Sequence, residues 1–166
     1  AVTMAYVALI VCVYLAAVVD TALGDVLRIG EVAPDMVALT AIVWMLLARH
    51  RWSFLTAGVV ALAGDLIAPG RVGVGAAWML LVGFGLCWVL PKTRSRAWIV
   101  RLPLLAAAMI AWCLGVALTD SLLGNASRPV VSQLLHAIAA AVYTSAAAVP
   151  VLMVAGWGRA GRDDTL

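Results

Sequence analysis

The chain has 166 residues, of which 66% are hydrophobic and only 11% are charged, and its mean hydropathy is +1.10. A soluble domain is about half apolar and about a quarter charged, so this composition excludes a protein with an ordinary solvated surface. The net charge of +3 does not indicate nucleic acid, because the basic residues lie in short stretches between apolar segments and form no aromatic-rich patch.

Six apolar segments follow one another along the chain. A bilayer core about 30 Å thick needs roughly 20 apolar residues for each helical span, so the length leaves room for about six spans and no separate soluble domain. We therefore predict an all-α membrane protein with one transmembrane domain over residues 1–166. The expected spans are about 2–19, 35–48, 52–68, 72–90, 99–118 and 131–157. The first is expected to be a retained span, because it lacks the basic start of a signal peptide.

The distribution of basic residues predicts the orientation. Lys and Arg are enriched in cytoplasmic loops of membrane proteins. One side of the predicted bundle carries Arg49, Arg51, Lys92, Arg94, Arg96, Arg101, Arg159 and Arg162, and the other carries Arg28, Arg71 and Arg128. Both chain termini are therefore expected on the cytoplasmic side, and most acidic residues are expected near the outer face.

Asp35 and Asp65 are the most informative polar pair. Each is equally far in sequence from His50, in the turn between the second and third spans, so both carboxylates are expected roughly 22 Å from that turn. Pro34–Asp35 is a common helix start, and a functional carboxylate is the alternative. For Asp65 the sequence favours a structural ion pair, with Arg71 or Arg28, over a ligand or proton-transfer role.

The other polar residues do not indicate an enzyme. Gly64–Asp65 resembles half of the aspartyl intramembrane protease pattern, but Leu62 stands where that pattern has glycine. A hydrogen bond between Asp120 and His136 is expected, with a structural histidine favoured over a proton relay. The three cysteines are isolated in sequence and predict neither a metal site nor a disulfide framework. We therefore predict a noncatalytic protein without a cofactor or metal.

Small residues recur at the spacing of helix contacts. The series are Ala137, Ala141 and Ser145; Ala140, Thr144 and Ala148; and Gly73, Gly75, Gly83 and Gly85. Small side chains allow membrane helices to approach closely. Packing within the chain and packing against a partner protein would use the same residues, so both alternatives remain open.

Two stretches carry a resemblance to a known family. The second span opens at Pro34 as PDMVALTAIVWMLLARHR, and the third span and its turn read GVVALAGDLIAPGRVGVGA from Gly58. With the size and the early first span, these stretches resemble the MreD family of the bacterial rod-shape complex. The residues that this resemblance marks as structural or partner-binding are Pro34, Asp35, Gly64, Asp65, Arg71, Gly73 and Gly75.

The resemblance implies a role in binding. Members of this family are noncatalytic scaffolds of the cell-elongation complex in the bacterial cytoplasmic (inner) membrane, where they support sidewall peptidoglycan synthesis and cell shape. The implied partners are membrane lipids and an MreC-like bitopic protein, and indirectly MreB, RodA and a class B penicillin-binding transpeptidase. The implied fold is similar to the substrate-binding subunits of energy-coupling-factor transporters. A vitamin-binding transporter subunit is therefore the alternative function.

Overall fold

The computed structural model describes residues 2–24, 26–29, 32–47, 52–67, 72–89, 98–123 and 129–163. Within these ranges the chain forms six helices and no strand. The helices are α1 (Val2–Leu23), α2 (Met36–Leu47), α3 (Ser53–Ile67), α4 (Val74–Val89), α5 (Trp98–Leu122) and α6 (Val130–Asp163). Arg71 and most of the basic residues used to predict the orientation lie outside the described residues: Arg49, Arg51, Lys92, Arg94, Arg96 and Arg128.

Each helix coincides with one of the six predicted segments, but three helices run on beyond their predicted ends. We expected the first segment to end at Val19, before the charge of Asp20, whereas α1 continues to Leu23. Helix α5 likewise passes Asp120 and ends at Leu122, and α6 continues to Asp163. The Asp20 carboxylate accepts hydrogen bonds from the N–H groups of Met36 and Val37, so its charge is compensated although it lies within α1.

Within the described ranges, three helices contain segments long and apolar enough to cross a membrane: Tyr6–Leu23, Arg101–Leu122 and Val130–Pro150. Helices α2, α3 and α4 are also apolar but have only 12, 15 and 16 residues. At 1.5 Å per residue they extend about 18 to 24 Å, which is less than the roughly 30 Å of a hydrocarbon core.

Helix α2 is the centre of the bundle and packs against each of the other five helices. Eight of its 12 residues are buried, and Ala41 and Ile42 have no exposed surface. A helix that is apolar on every face is buried rather than amphipathic, and α2 has this composition. Helix α1 is its opposite, since it packs mainly on α2 and leaves most of its apolar side chains exposed.

The small residues bring helices of this chain together. A Cβ atom added to Gly83 would lie 2.7 Å from Met45 Sδ and 2.8 Å from Phe54 Cβ, so α4 approaches α2 and α3 closely there. Ala137, Ala141 and Ser145 are buried in α6. At these positions the small residues serve packing within the chain and not packing against a partner protein. Gly85 differs, because an added Cβ would meet no described atom within 4 Å.

Candidate functional site

Three carboxylates gather at one end of the bundle, and we call Asp20, Asp35 and Asp65 the aspartate cluster. Asp20 lies in the last turn of α1, Asp35 directly precedes α2, and Asp65 lies near the end of α3. The Asp35 carboxylate is close enough to the other two for their charges to repel it. A cluster of like charges in an apolar bundle requires compensating donors, and the starts of two helices supply them.

Asp20 connects the end of α1 to the start of α2. Its two carboxylate oxygens accept hydrogen bonds from the main-chain N–H of Met36, at 3.0 and 3.1 Å, and one of them also accepts from Val37 N–H at 3.2 Å. The first N–H groups of a helix have no partner within that helix and carry partial positive charge. Asp20 therefore satisfies donors that would otherwise be unpaired. Sequence analysis assigned Asp20 no such role.

Asp35 is the N-cap of α2. Its Oδ1 accepts a hydrogen bond of 2.7 Å from Ala38 N–H, three residues further along the chain. This contact confirms the helix-start interpretation of Pro34–Asp35. The main-chain N–H of Asp35 donates to Thr144 Oγ1 at 3.2 Å, and Thr144, on α6, is almost completely buried. The start of α2 is thereby attached to the middle of α6.

Asp65 caps a helix other than its own. One carboxylate oxygen accepts hydrogen bonds from Gly73 N–H and from Ala76 N–H, both at 3.0 Å, at the start of α4. Gly73 has a φ of 96°, a conformation that L side chains rarely adopt. A Cβ atom on Gly75 would overlap Asp65 Oδ1, so only glycine leaves room for the carboxylate there. The indole N–H of Trp112 donates to Gly75 O at 3.0 Å and attaches α5 to the same turn.

The structure thus brings together most of the residues that the family resemblance marks. Gly64 lies against α2, since a Cβ there would be 3.1 Å from Val37 Cγ1, and Pro34 is buried beside the N-cap. The predicted pair of Asp65 with Arg71 stays a prediction, because Arg71 lies outside the described residues. Arg28, the alternative partner, is exposed and forms no ion pair with Asp65 in the described structure.

The predicted contact between Asp120 and His136 is not formed: both residues are described, and no hydrogen bond or ion pair joins them. A different pair connects α5 and α6 near this end, the Ser121 hydroxyl and Gln133 Oε1 at 3.1 Å. Further along α6, the Tyr143 hydroxyl donates to Leu27 O at 2.9 Å. This contact holds the connection between α1 and α2 against α6.

The chemistry of this end is that of helix capping. Each carboxylate of the aspartate cluster accepts main-chain N–H groups, and the acceptors join α1 to α2 and α3 to α4. The described residues contain no group of three or more His, Cys, Asp or Glu side chains arranged to hold a metal ion.

A second feature is an apolar groove between α1 and α3, with a cavity volume of about 570 Å³. The side chains from α1 are Tyr6, Leu9, Ile10, Val13, Tyr14 and Ala17, and those from α3 are Leu55, Thr56, Val59, Val60, Ala63 and Ile67. We call this feature the α1–α3 groove. Sequence analysis did not predict it, because it depends on how far apart α2 holds its two neighbours.

The chain matches no known family model, no curated protein and no solved structure.

Proposed function

We propose that this protein is a noncatalytic scaffold in the bacterial cytoplasmic membrane that supports cell elongation and sidewall peptidoglycan synthesis, as members of the MreD family do. It acts by binding an MreC-like bitopic protein, and through that protein it is connected to MreB, RodA and a class B penicillin-binding transpeptidase. The proposal rests on the stretch from Pro34 to Gly75, which carries the resemblance, and on what the residues of that stretch do in the fold.

The supporting observation is that the two carboxylates of this stretch, Asp35 and Asp65, accept main-chain N–H groups. Both carboxylates are bound at the start of a helix, Gly73 adopts a φ of 96° just before α4, and Gly75 in the first turn of α4 leaves room for the Asp65 carboxylate. Carboxylates bound in this way stabilise a fixed arrangement of helix ends. A rigid surface of this kind suits a protein that holds partners in place.

The membrane topology is part of the proposal. Three helices have the length and composition of spans, and α2 packs against all five other helices and so lies in the apolar interior. We propose that α2, α3 and α4 cross the membrane as well, with the bilayer thinned locally around these shorter helices, which makes six spans with both termini cytoplasmic. The aspartate cluster then faces the outer leaflet, where a partner anchored by one span and folded outside the membrane can reach it.

The experiment is depletion of the protein in its rod-shaped host, together with purification of the tagged full chain in a mild detergent. We expect rounded cells, and we expect the MreC-like protein to co-purify. Complementation of the depleted cells with the Asp120→Asn variant is the control. It should restore rod shape fully, since Asp120 makes no described contact with the aspartate cluster. Normal rods that lose uptake of one vitamin, with an ATPase module in the purified complex, would replace this proposal with the transporter subunit.

A further inference from the structure

Helices α3 and α4 pack against each other and expose apolar side chains to their surroundings. An added Cβ atom at Gly58 of α3 would overlap Leu80 of α4, so the two helices approach closely. Helix α2 is also short, but it lies in the interior of the bundle. We call the following exposed side chains the α3–α4 surface: Leu55, Val59 and Leu62 from α3, and Leu81, Phe84 and Val89 from α4.

Two exposed tryptophans mark one end of the α3–α4 surface. Trp52 directly precedes α3 and Trp88 lies in the last turn of α4, and their side chains are 54% and 66% exposed. The ring of Phe54, at the start of α3, contacts that of Phe84, near the end of α4, at 6.4 Å between centroids, so both tryptophans lie at the same end. Exposed indole rings at helix ends are typical of the level of the lipid headgroups. The pair therefore indicates that lipid surrounds this surface.

Asp65 marks the opposite end. Its carboxylate accepts the N–H groups of Gly73 and Ala76, so the end of α3 and the start of α4 share one polar level. Asp65 follows Trp52 by 13 residues, about 20 Å of helix, and Trp88 follows Gly73 by 15, about 22 Å. The two helices thus give the same apolar thickness from different residues. It is well below the roughly 30 Å of a hydrocarbon core.

Helix α5 shows that this thickness belongs to one side of the protein. It begins at Trp98 and reaches Asp120 after 22 residues, about 33 Å, so the same two residue types lie much further apart. The outer ends of α4 and α5 are level, because the indole N–H of Trp78 donates to Thr119 Oγ1 at 2.9 Å. The α3–α4 surface therefore falls short at the end marked by Trp52 and Trp88.

We infer that the protein thins the bilayer on one side, beside the α3–α4 surface, and gathers lipids with short acyl chains there. The bilayer beside α5 and α6 keeps its ordinary thickness. A bilayer adapts to a short apolar stretch by thinning, and tilting α3 and α4 would only reduce their reach. Without thinning, Asp65 or the indole rings would lie in hydrocarbon, which is costly for a carboxylate. This inference rests on the proposed function, since it takes α3 and α4 as spans, and it adds the lipid class and the side.

The test measures which lipid touches each side of the purified full chain in vesicles that mix two phosphatidylcholines, with chains of fourteen and of twenty carbons. A fluorescent thiol label is attached at Leu81→Cys on α4 or at Val142→Cys on α6, in a background without the native cysteines. Both positions are more than half exposed. One lipid at a time carries bromine, which quenches the label on contact. At Leu81→Cys we expect about two- to threefold more quenching by the short lipid than by the long one. Val142→Cys is the matched control and should show no preference for the short lipid.

Tryptophan variants test what sets the thickness. Replacing both Trp52 and Trp88 with leucine removes the interfacial indoles and lets apolar surface extend towards the headgroups. The preference at Leu81→Cys should then fall to about equal quenching by the two lipids. Phe84→Leu is the control, because it exchanges one exposed apolar side chain for another a single turn from Trp88, and it should keep the preference. A full preference in the double variant would refute the role of the tryptophans.

The outcomes separate this inference from the proposed function. If Leu81→Cys shows no preference for the short lipid, the inference is overturned, while co-purification of the MreC-like protein still supports the proposed function. If the preference is present but that protein does not co-purify and depleted cells stay rod-shaped, the proposed function fails and the inference stands. If a water-soluble thiol reagent labels Leu81→Cys in the vesicles, the six-span topology and the inference fail together. If neither lipid quenches the label and two copies cross-link through Leu81→Cys, a second copy covers the surface and the inference is overturned.

Discussion

Replacing Asp65 with alanine removes the acceptor of two main-chain N–H groups at the start of α4, those of Gly73 and Ala76. Ala76 is buried and Gly73 is half-buried, so neither donor regains a full partner from solvent. A buried donor left unpaired costs about 1–3 kcal/mol, and a lost cap costs about 0.5–2 kcal/mol. We expect Asp65→Ala to lower the free energy of unfolding by about 2–4 kcal/mol.

A double-mutant cycle with Gly75 sharpens this prediction. In the wild-type background, Gly75→Ala sets a Cβ atom against Asp65 Oδ1 and should cost about 1–3 kcal/mol. In the Asp65→Ala background the obstructing oxygen is absent, so most of that cost should disappear. Gly85→Ala is the matched control on the same helix, because its Cβ meets no described atom within 4 Å. It should be neutral or stabilise by up to about 1 kcal/mol.

The assay is reversible unfolding in mixed detergent micelles, followed by tryptophan fluorescence. Asp65→Asn should lose much less stability than Asp65→Ala, because asparagine retains a capping oxygen. An ion pair between Asp65 and Arg71 predicts a different result. Asp65→Asn would then lower stability as much as Asp65→Ala does, and adding Arg71→Ala to the Asp65→Ala variant would partly restore its stability. Equal costs of Gly75→Ala in the two backgrounds would refute the capping role of Asp65.

Three further predictions concern other positions of the chain. Gly83→Ala should lower stability by about 1–3 kcal/mol through overpacking against α2 and α3, measured by the same unfolding assay with Gly85→Ala as the neutral reference. Tyr143→Phe removes the hydrogen bond to Leu27 O, at a cost of about 0.5–1.5 kcal/mol, and should speed amide hydrogen exchange over residues 26–29 while leaving exchange in α4 unchanged. Arg94→Cys in a background without the native cysteines should resist an impermeant thiol reagent applied to intact cells; labelling from outside would reverse the proposed orientation.

Local patterns in the sequence were sufficient for the six helices. Runs of apolar residues, separated by charges, glycines and prolines, predict where each helix lies, because helix formation depends mainly on residues within a few turns. The same reasoning recognised Pro34–Asp35 as a helix start, since an N-cap bonds an N–H only three residues ahead in the chain. The predicted end of α1 lies too early in the chain, because the charge of Asp20, taken alone, indicates a helix boundary.

The partners of the other carboxylates were decided by tertiary structure. The donors that Asp20 and Asp65 bind are main-chain N–H groups, which every residue type except proline carries, so no sequence pattern reveals them. Which helix start lies opposite each carboxylate depends on the packing of α1 to α4 around α2. From charges alone, sequence analysis favoured Arg71 or Arg28 for Asp65, whereas the described contacts of that carboxylate are with Gly73 and Ala76.

By itself, the sequence determined the apolar character of the protein, which follows from composition. It also determined the positions of the helices and the start of α2, because these depend on residues close together in the chain. Only the tertiary structure decided that Asp65 and Gly75 fit together, that Gly83 packs within the chain, and that α1 and α3 leave a groove between them. These features depend on the distances between helices that are far apart in sequence. Those distances result from the simultaneous packing of all side chains around α2.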